Sequence, residues 1–369
     1  MSAPYAHELQ IACLAVQRAS ILTKTVLRSI LKANVDNNNE TSGSNPSSIT
    51  KTDQSPVTIA DFAAQSLLIS AIHSAFPTDL LVGEENSDDL RANPSLRDLV
   101  WETVQNTHLD DESEALIARP QSVEDMMDLI DLGGKGQGDK KGRVWMMDPI
   151  DGTKTFLRNQ QFAVSLALVE DGKEAVGVVG GPNLRLDEGR AREDVVDEEG
   201  FGIMLCAVKG QGTYLRTIGR EGLLSATRLE PWPKIADAED LKWIESSINK
   251  AQSHEKARRL AAEVGGDYPG TDLYCSQIRY LACALTGAVQ VRIPADKNKA
   301  SYAWDHAGGQ LLYTEAGGVV TDLNGEETDF GVGRTLGNNW GYVIARREVL
   351  SRILEVVKAI VEADKSNGP

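Results

Sequence analysis

The chain has 369 residues, 41% of them hydrophobic and 25% charged, which is enough to bury a large core and exceeds a typical single domain, so two packed domains are expected. Lys and Arg total 38 against 54 Asp and Glu, and the net charge of -16 at pH 7 excludes a nucleic-acid binder that works through a basic surface. An acidic protein acting on a small anion must reverse the sign locally, with a few Arg or Lys or with divalent cations.

Cys13, Cys206, Cys275 and Cys283 form no CxxC pair and have no His at zinc spacing, so they read as reduced, mostly buried thiols. The opening MSAPYAHELQ has no basic segment leading into an apolar one, and no run approaches the roughly 20 apolar residues needed to span a bilayer. These features predict a cytoplasmic protein with no membrane partner. No pattern in the chain encodes an oligomeric state.

In chain order, Leu9, Cys13, Val16, Leu27 and Ile30 recur at helical spacing and predict a long helix over 5–31. Residues 34–56, rich in Asn, Ser and Thr, predict a loop or flap. A second helix is expected over 61–76, with Pro77 beyond its end, and then a short strand runs into Gly83-Glu84-Glu85. RVWMMDPIDGTKTF predicts a strand ending in a turn that opens a helix, and 162–183 a hairpin about Asp171-Gly172. The charged stretch 185–200 is expected to be a solvated surface loop, and 201–217 a further hairpin. Composition turns loop-like near Glu230-Pro231-Trp232-Pro233, which places a domain boundary near 228: an α+β domain over 1–228 and an α/β domain over 229–369. An apolar stripe from Val349 to Val361 predicts a closing helix packed on the core.

In Asp148-Pro149-Ile150-Asp151-Gly152-Thr153, two carboxylates leave the end of a buried strand, and hard oxygen ligands so placed suit magnesium. Taken alone, Asp151 reads equally well as a helix N-cap, Glu84 as part of a solvated turn, and Asp305 of Trp304-Asp305-His306 as another cap. Together they supply acids from three separated segments, the pattern of a phosphoryl-transfer site with two metals. His306 reads as a structural histidine.

GEE, DPIDGTKTF and WDHAGGQLLYTEAGG, in this order, resemble the lithium-sensitive, magnesium-dependent phosphatases of the inositol monophosphatase superfamily. SPVTIADFAAQ and FLRNQQFAVSLALVEDG are most similar to its bisphosphate nucleotidase branch, which acts on 3'-phosphoadenosine 5'-phosphate, and the likeness spans residues 5–345. The resemblance implies the alternating helix and sheet layers of the sugar-phosphatase fold, α+β to α/β in class. It implies two or three magnesium ions on Glu84, Asp148, Asp151, Asp305 and the carbonyl of Ile150. Asp61 and Thr153 would orient and deprotonate the attacking water, and the amides around Gly152 and Thr153 would receive phosphate oxygens. Ser276, Arg279 and Arg292 would hold a second, uncleaved phosphate, and His254 would line the nucleoside pocket. The resemblance implies a magnesium-dependent phosphatase that would release the 3'-phosphate of the nucleotide, or of its 5'-phosphosulfate analogue, in sulfur assimilation. An inositol phosphatase and a non-catalytic nucleotide sensor are the alternatives. Thr155 and Asn159 stand where the family has glycines, Cys275 where it has an aspartate, and Ala251 where it has a histidine.

Overall fold

A computed structural model describes residues 3–38, 56–296 and 300–366. Its centre is a seven-stranded sheet whose strands lie in sequence order: β1 (Leu80–Gly83), β2 (Arg143–Asp151), β3 (Ala163–Glu170), β4 (Lys173–Gly181), β5 (Ile203–Val208), β6 (Gly212–Thr217) and β7 (Thr227–Arg228). Only β1 and β2 run parallel; the other pairs are antiparallel, and β3 and β4 are joined by the tight Asp171-Gly172 turn, where both residues have positive φ. Parallel pairing needs a crossover, and the helices Asp88–Ala92, Pro94–Gln105, Asp111–Glu114 and Val123–Gly134 supply it.

Both faces of the sheet are covered, so β2 to β5 are near-continuous apolar runs rather than alternating ones. The long helices α1 (Ala6–Asn38) and α2 (Pro56–Ala75) pack on one face, and helices Ser276–Thr286 and Ala307–Glu315 on the other. Val179, Leu205 and Ala207 of the sheet share a core with Ile278, Leu281, Leu311 and Leu312 of the latter pair. Close approach there depends on Gly177: a Cβ at that position would come within 2.7 Å of the Gly308 carbonyl oxygen. A three-stranded sheet follows, β10 (Gln290–Arg292), β12 (Tyr342–Ala345) and β11 (Val319–Thr321), with helices His254–Val264 and Arg347–Ser366 outermost. The strand pair Ile244–Glu245 and Thr271–Asp272 (β8 and β9) completes an α+β layered architecture.

Two expectations change. The first helix continues to Asn38 and the second begins at Pro56, so the loop expected over 34–56 is shortened at both ends, and its remainder lies outside the described residues. No proline interrupts 32–38, while Pro56 suits a first helical position because its missing N–H has no partner to lose there. The stretch 185–200 is not simply solvated. Ala191 is buried, the side chain of Gln161 donates to the carbonyls of Arg192 and Val195, and Glu193 turns inward.

Candidate functional site

The register of β1 on β2 builds the first half of the site. Gly83 pairs with Met147 in the parallel ladder, so the next residues, Glu84 just past the end of β1 and Asp148 still on β2, stand side by side. After Asp148 the pairing with β3 slips, from Asp148 opposite Ser165 to Asp151 opposite Ala163, and this irregularity absorbs Pro149 and Ile150. Gly152 then takes φ +91 and caps the short helix Thr153–Phe156. A side chain there would meet Thr155 Oγ1 at 2.8 Å and Cys275 Cβ at 3.0 Å. The main-chain amide of Gln277 donates to Asp151 Oδ2 at 2.5 Å, which fastens the end of β2 to helix Ser276–Thr286. Asp305 stands in the turn before helix Ala307–Glu315 rather than opening it.

Glu84, Asp148, Ile150, Asp151, Gly152, Thr153, Ser276 and Asp305 line one open cleft of ≈ 340 Å³. Asp148 is 2% exposed, and its carboxyl is held well above the usual carboxylate range, first by burial and then by the charges of Glu84, Asp151, Asp305 and Asp61. Burial, Asp151 and Glu84 push the Asp305 carboxyl up to about 8. Asp151 is raised by burial as well, against the Gln277 amide, the Cys275 thiol and the Arg279 charge, which favour its ionised form. Such crowding of carboxylates is tolerated only where a cation balances it.

Asp148 supplies a direct test of metal fit. Its Oδ1 is buried and accepts no hydrogen bond, which is the state of an oxygen reserved for a cation. Among the described residues no group of three or more His, Cys, Asp or Glu is already gathered as metal ligands. The acids line an open cleft, which suits magnesium, an ion that keeps waters and takes substrate phosphate oxygens as ligands.

The remaining expected residues lie as follows. Asp61, on α2, is 2% exposed and near enough to Asp148 to act on its charge. The Thr153 hydroxyl donates to the Ile150 carbonyl at 3.4 Å. Arg279 sits behind the cleft, donating to the carbonyls of Leu273 and Tyr274, to Ser276 Oγ at 3.1 Å and to the Tyr342 hydroxyl. Arg292 donates to Ser301 Oγ at 2.9 Å, and its charge lowers the pKa of the Asp305 carboxyl. His254 rests against Glu245 Oε1 at 3.3 Å and the Asn249 carbonyl at 3.0 Å, and Asn249 rather than His254 lines the cleft. His306 is buried against the Tyr280 hydroxyl at 3.0 Å, and burial with the nearby Arg292 and Arg279 holds its ring neutral, with a pKa lowered to about 3.

Lys154, Asn249, Tyr274 and Tyr302 complete the lining, and motif reasoning singled out none of them as site residues. Lys154 was readable, as the residue following Thr153; the others arrive from loops whose paths only tertiary contacts set. Glu193, from the charged stretch, accepts the amides of Gln161 at 3.1 Å and Tyr274 at 2.8 Å, and so fixes the backbone of one lining residue.

The departures from family pattern are accommodated. Thr155 lies within the short helix at an ordinary φ, and its hydroxyl donates to the Gly152 carbonyl at 2.8 Å. Asn159 does occupy the left-handed region, at φ 54, where asparagine is among the few residues tolerated in place of glycine. Cys275 caps helix Ser276–Thr286 through its sulfur, 3.4 Å from the Ile278 amide. As a neutral thiol it favours the Asp151 carboxylate, whereas an aspartate there would add one more charge to the cluster.

The inositol monophosphatase family model matches residues 8–362. A 3'(2'),5'-bisphosphate nucleotidase of Schizosaccharomyces pombe is 38% identical over 364 residues, covering 97% of this chain and 96% of the relative. One from Emericella nidulans is 38% identical over 368 residues, covering 97% of this chain and 99% of the relative. Among solved structures, an inositol monophosphatase of Staphylococcus aureus superposes with a TM-score of 0.54 at 17% identity, covering 97% of this chain and 98% of that one. A member of the same family from Bacteroides thetaiotaomicron gives 0.55 at 16% identity, covering 93% of this chain and 98% of that one. With the sequence match spanning nearly the whole chain and the fold in agreement, this protein belongs to the inositol monophosphatase family.

Proposed function

We propose that this cleft hydrolyses the 3'-phosphate of 3'-phosphoadenosine 5'-phosphate to AMP and phosphate, and accepts the 5'-phosphosulfate analogue. The observation that carries the proposal is the buried, charge-crowded Asp148, whose Oδ1 has no protein partner and whose charge neighbours are the acids of the family motifs. The names of relatives at 38% identity supply the substrate class.

Glu84, Asp148, Asp151, Asp305 and the carbonyl of Ile150 would hold two or three magnesium ions. When bound there, magnesium lowers the pKa of a coordinated water and neutralises charge on the phosphate. Asp61 and Thr153 would orient the attacking water, with the Asp61 carboxylate accepting its proton, and the amides following Gly152 would receive phosphate oxygens. At the far end of the substrate, Ser276 offers its hydroxyl to the uncleaved phosphate, with the Arg279 charge directly behind it and Arg292 near Asp305. Lys154 adds a cation on the cleft lining itself: it makes no ion pair or hydrogen bond with a described residue, and its Nζ lies 5.9 Å from the centroid of the Tyr274 ring. An inositol monophosphate has no second phosphate to offer these cations. The complete acid set favours turnover over a sensor role.

Phosphate release from the nucleotide and from inositol phosphates, measured side by side with and without magnesium, tests the proposal. Faster nucleotide hydrolysis that requires the metal is expected, with inhibition by millimolar lithium. Equal rates on both substrates, or undiminished rates in chelator, would sink it.

A further inference from the structure

Two tyrosines line the cleft, and they are held differently. The Tyr274 ring lies beneath Lys154, in the part of the lining that carries Ser276. Tyr302 is 52% exposed, and its hydroxyl has no hydrogen-bond partner among the described residues. What holds it is stacking: its ring is parallel to that of Trp304 within 9°, with centroids 4.7 Å apart. Trp304 is 4% exposed and is itself backed by the Arg334 guanidinium, 4.6 Å from the ring centroid. Arg334 is tied to three carbonyls, Gly83 at 2.7 Å and Gly133 and Gly136 at 3.1 Å each. An exposed aromatic plane is therefore anchored through two further groups to the backbone beside Glu84, and it lies three residues before Asp305.

We propose that the exposed ring of Tyr302 is the platform on which the planar base of the substrate stacks, so that Tyr302 selects nucleotides over phosphate esters that lack an aromatic ring. The inference rests on the nucleotidase reading and extends it to the base. Every base has a π-face, so recognition by stacking is tolerant of base identity. A rigid, pre-stacked ring loses little freedom when a base adds to the stack, and its position close to Asp305 in the chain fixes it relative to the acids. His254 rests against Glu245 and the Asn249 carbonyl and is not part of the cleft lining, whereas Tyr302 presents its ring on that lining.

The test compares kcat/KM for 3'-phosphoadenosine 5'-phosphate with kcat/KM for inositol 1,4-bisphosphate, which has two phosphates and no aromatic ring. Wild type should favour the nucleotide, and replacing adenine with another base should change the rate by only a few fold. In Tyr302→Leu the nucleotide-to-inositol ratio should fall about tenfold, chiefly through KM, while Tyr302→Phe, which keeps the ring, should hold the ratio within about twofold. An unchanged ratio in the Leu variant, or a Phe variant as impaired as the Leu variant, overturns the stacking role. A wild type with no preference for the nucleotide overturns the underlying nucleotidase reading as well, and that outcome is visible before any variant is compared.

Discussion

The amide of Gln277 donates to Asp151 Oδ2 at 2.5 Å, a contact between residues 126 positions apart that joins the end of β2 to the start of a helix on the far side of the sheet. Asp151 is thereby aimed by the protein before any cation arrives. Asp148 has no comparable support at Oδ1, which makes it the acid most dependent on a cation.

Asp148→Asn keeps the shape and removes the charge. Phosphate release should fall by about a hundredfold or more, as expected when an electrostatic group at the reacting centre is lost. In the metal-free protein burial and the neighbouring acids raise the Asp148 carboxyl, which costs stability wherever the unfolded carboxyl would be ionised; an amide escapes that cost, so thermal unfolding in chelator should shift upward. A variant that is both active and no more heat-resistant would contradict both expectations.

Thr155→Gly restores the residue of the family pattern, yet it should destabilise this chain. The Thr155 backbone needs no positive φ, and its buried hydroxyl holds the Gly152 carbonyl. A loss of about 1 to 2 kcal/mol is expected from the missing hydrogen bond and the greater backbone freedom of glycine, measurable by urea titration.

Glu193→Ala should raise KM for the nucleotide. Removing the carboxylate leaves the amides of Gln161 and Tyr274 without their acceptor, a loss of about 1 to 3 kcal/mol distributed between stability and the placement of Tyr274. Steady-state kinetics with matched melting curves would check it. A purely solvated 185–200 loop would leave both unchanged.

Lys24 gives stability a dependence on pH. It is 2% exposed, donating to Asn183 Oδ1 and to the Asp197 carbonyl, and burial lowers its pKa from 10.5 to about 8. Below pH 8 both folded and unfolded states carry the proton, and the folded state bears the full penalty of burying the charge. Between 8 and 10.5 the unfolded chain binds more protons, so stability rises with pH. Relative to Lys24→Met, which does not titrate, wild type should gain up to about 3 kcal/mol across that window. Denaturation at pH 7.5 and pH 10.5 measures it, and a constant difference would show that Lys24 does not titrate there.

Local chemistry made much of this molecule legible. The helical spacing of Leu9, Cys13 and Val16, the Asp171-Gly172 turn and the apolar stripe from Val349 to Val361 each produced the element that forms. The same holds for Asp148, Asp151 and Gly152, because a strand that ends in Asp-Pro-Ile-Asp-Gly carries its own turn. The burial of Arg279 was not readable, since nothing in Ser-Gln-Ile-Arg-Tyr says which way a helix rotates against a sheet. Glu193 lay hidden among charged neighbours; its inward turn depends on two amides, one 32 and the other 81 positions away.

By itself the sequence determined the strand and helix pattern, the acids and the family they mark, because turn chemistry and hydrophobic period act over a few residues. The tertiary structure alone decided that Glu84 stands beside Asp148, that Asn249 rather than His254 lines the cleft, and that Tyr302 is stacked on Trp304 and faces it. Strand register, helix rotation and ring stacking are set by packing between segments far apart in the chain, and no short stretch of residues contains that information.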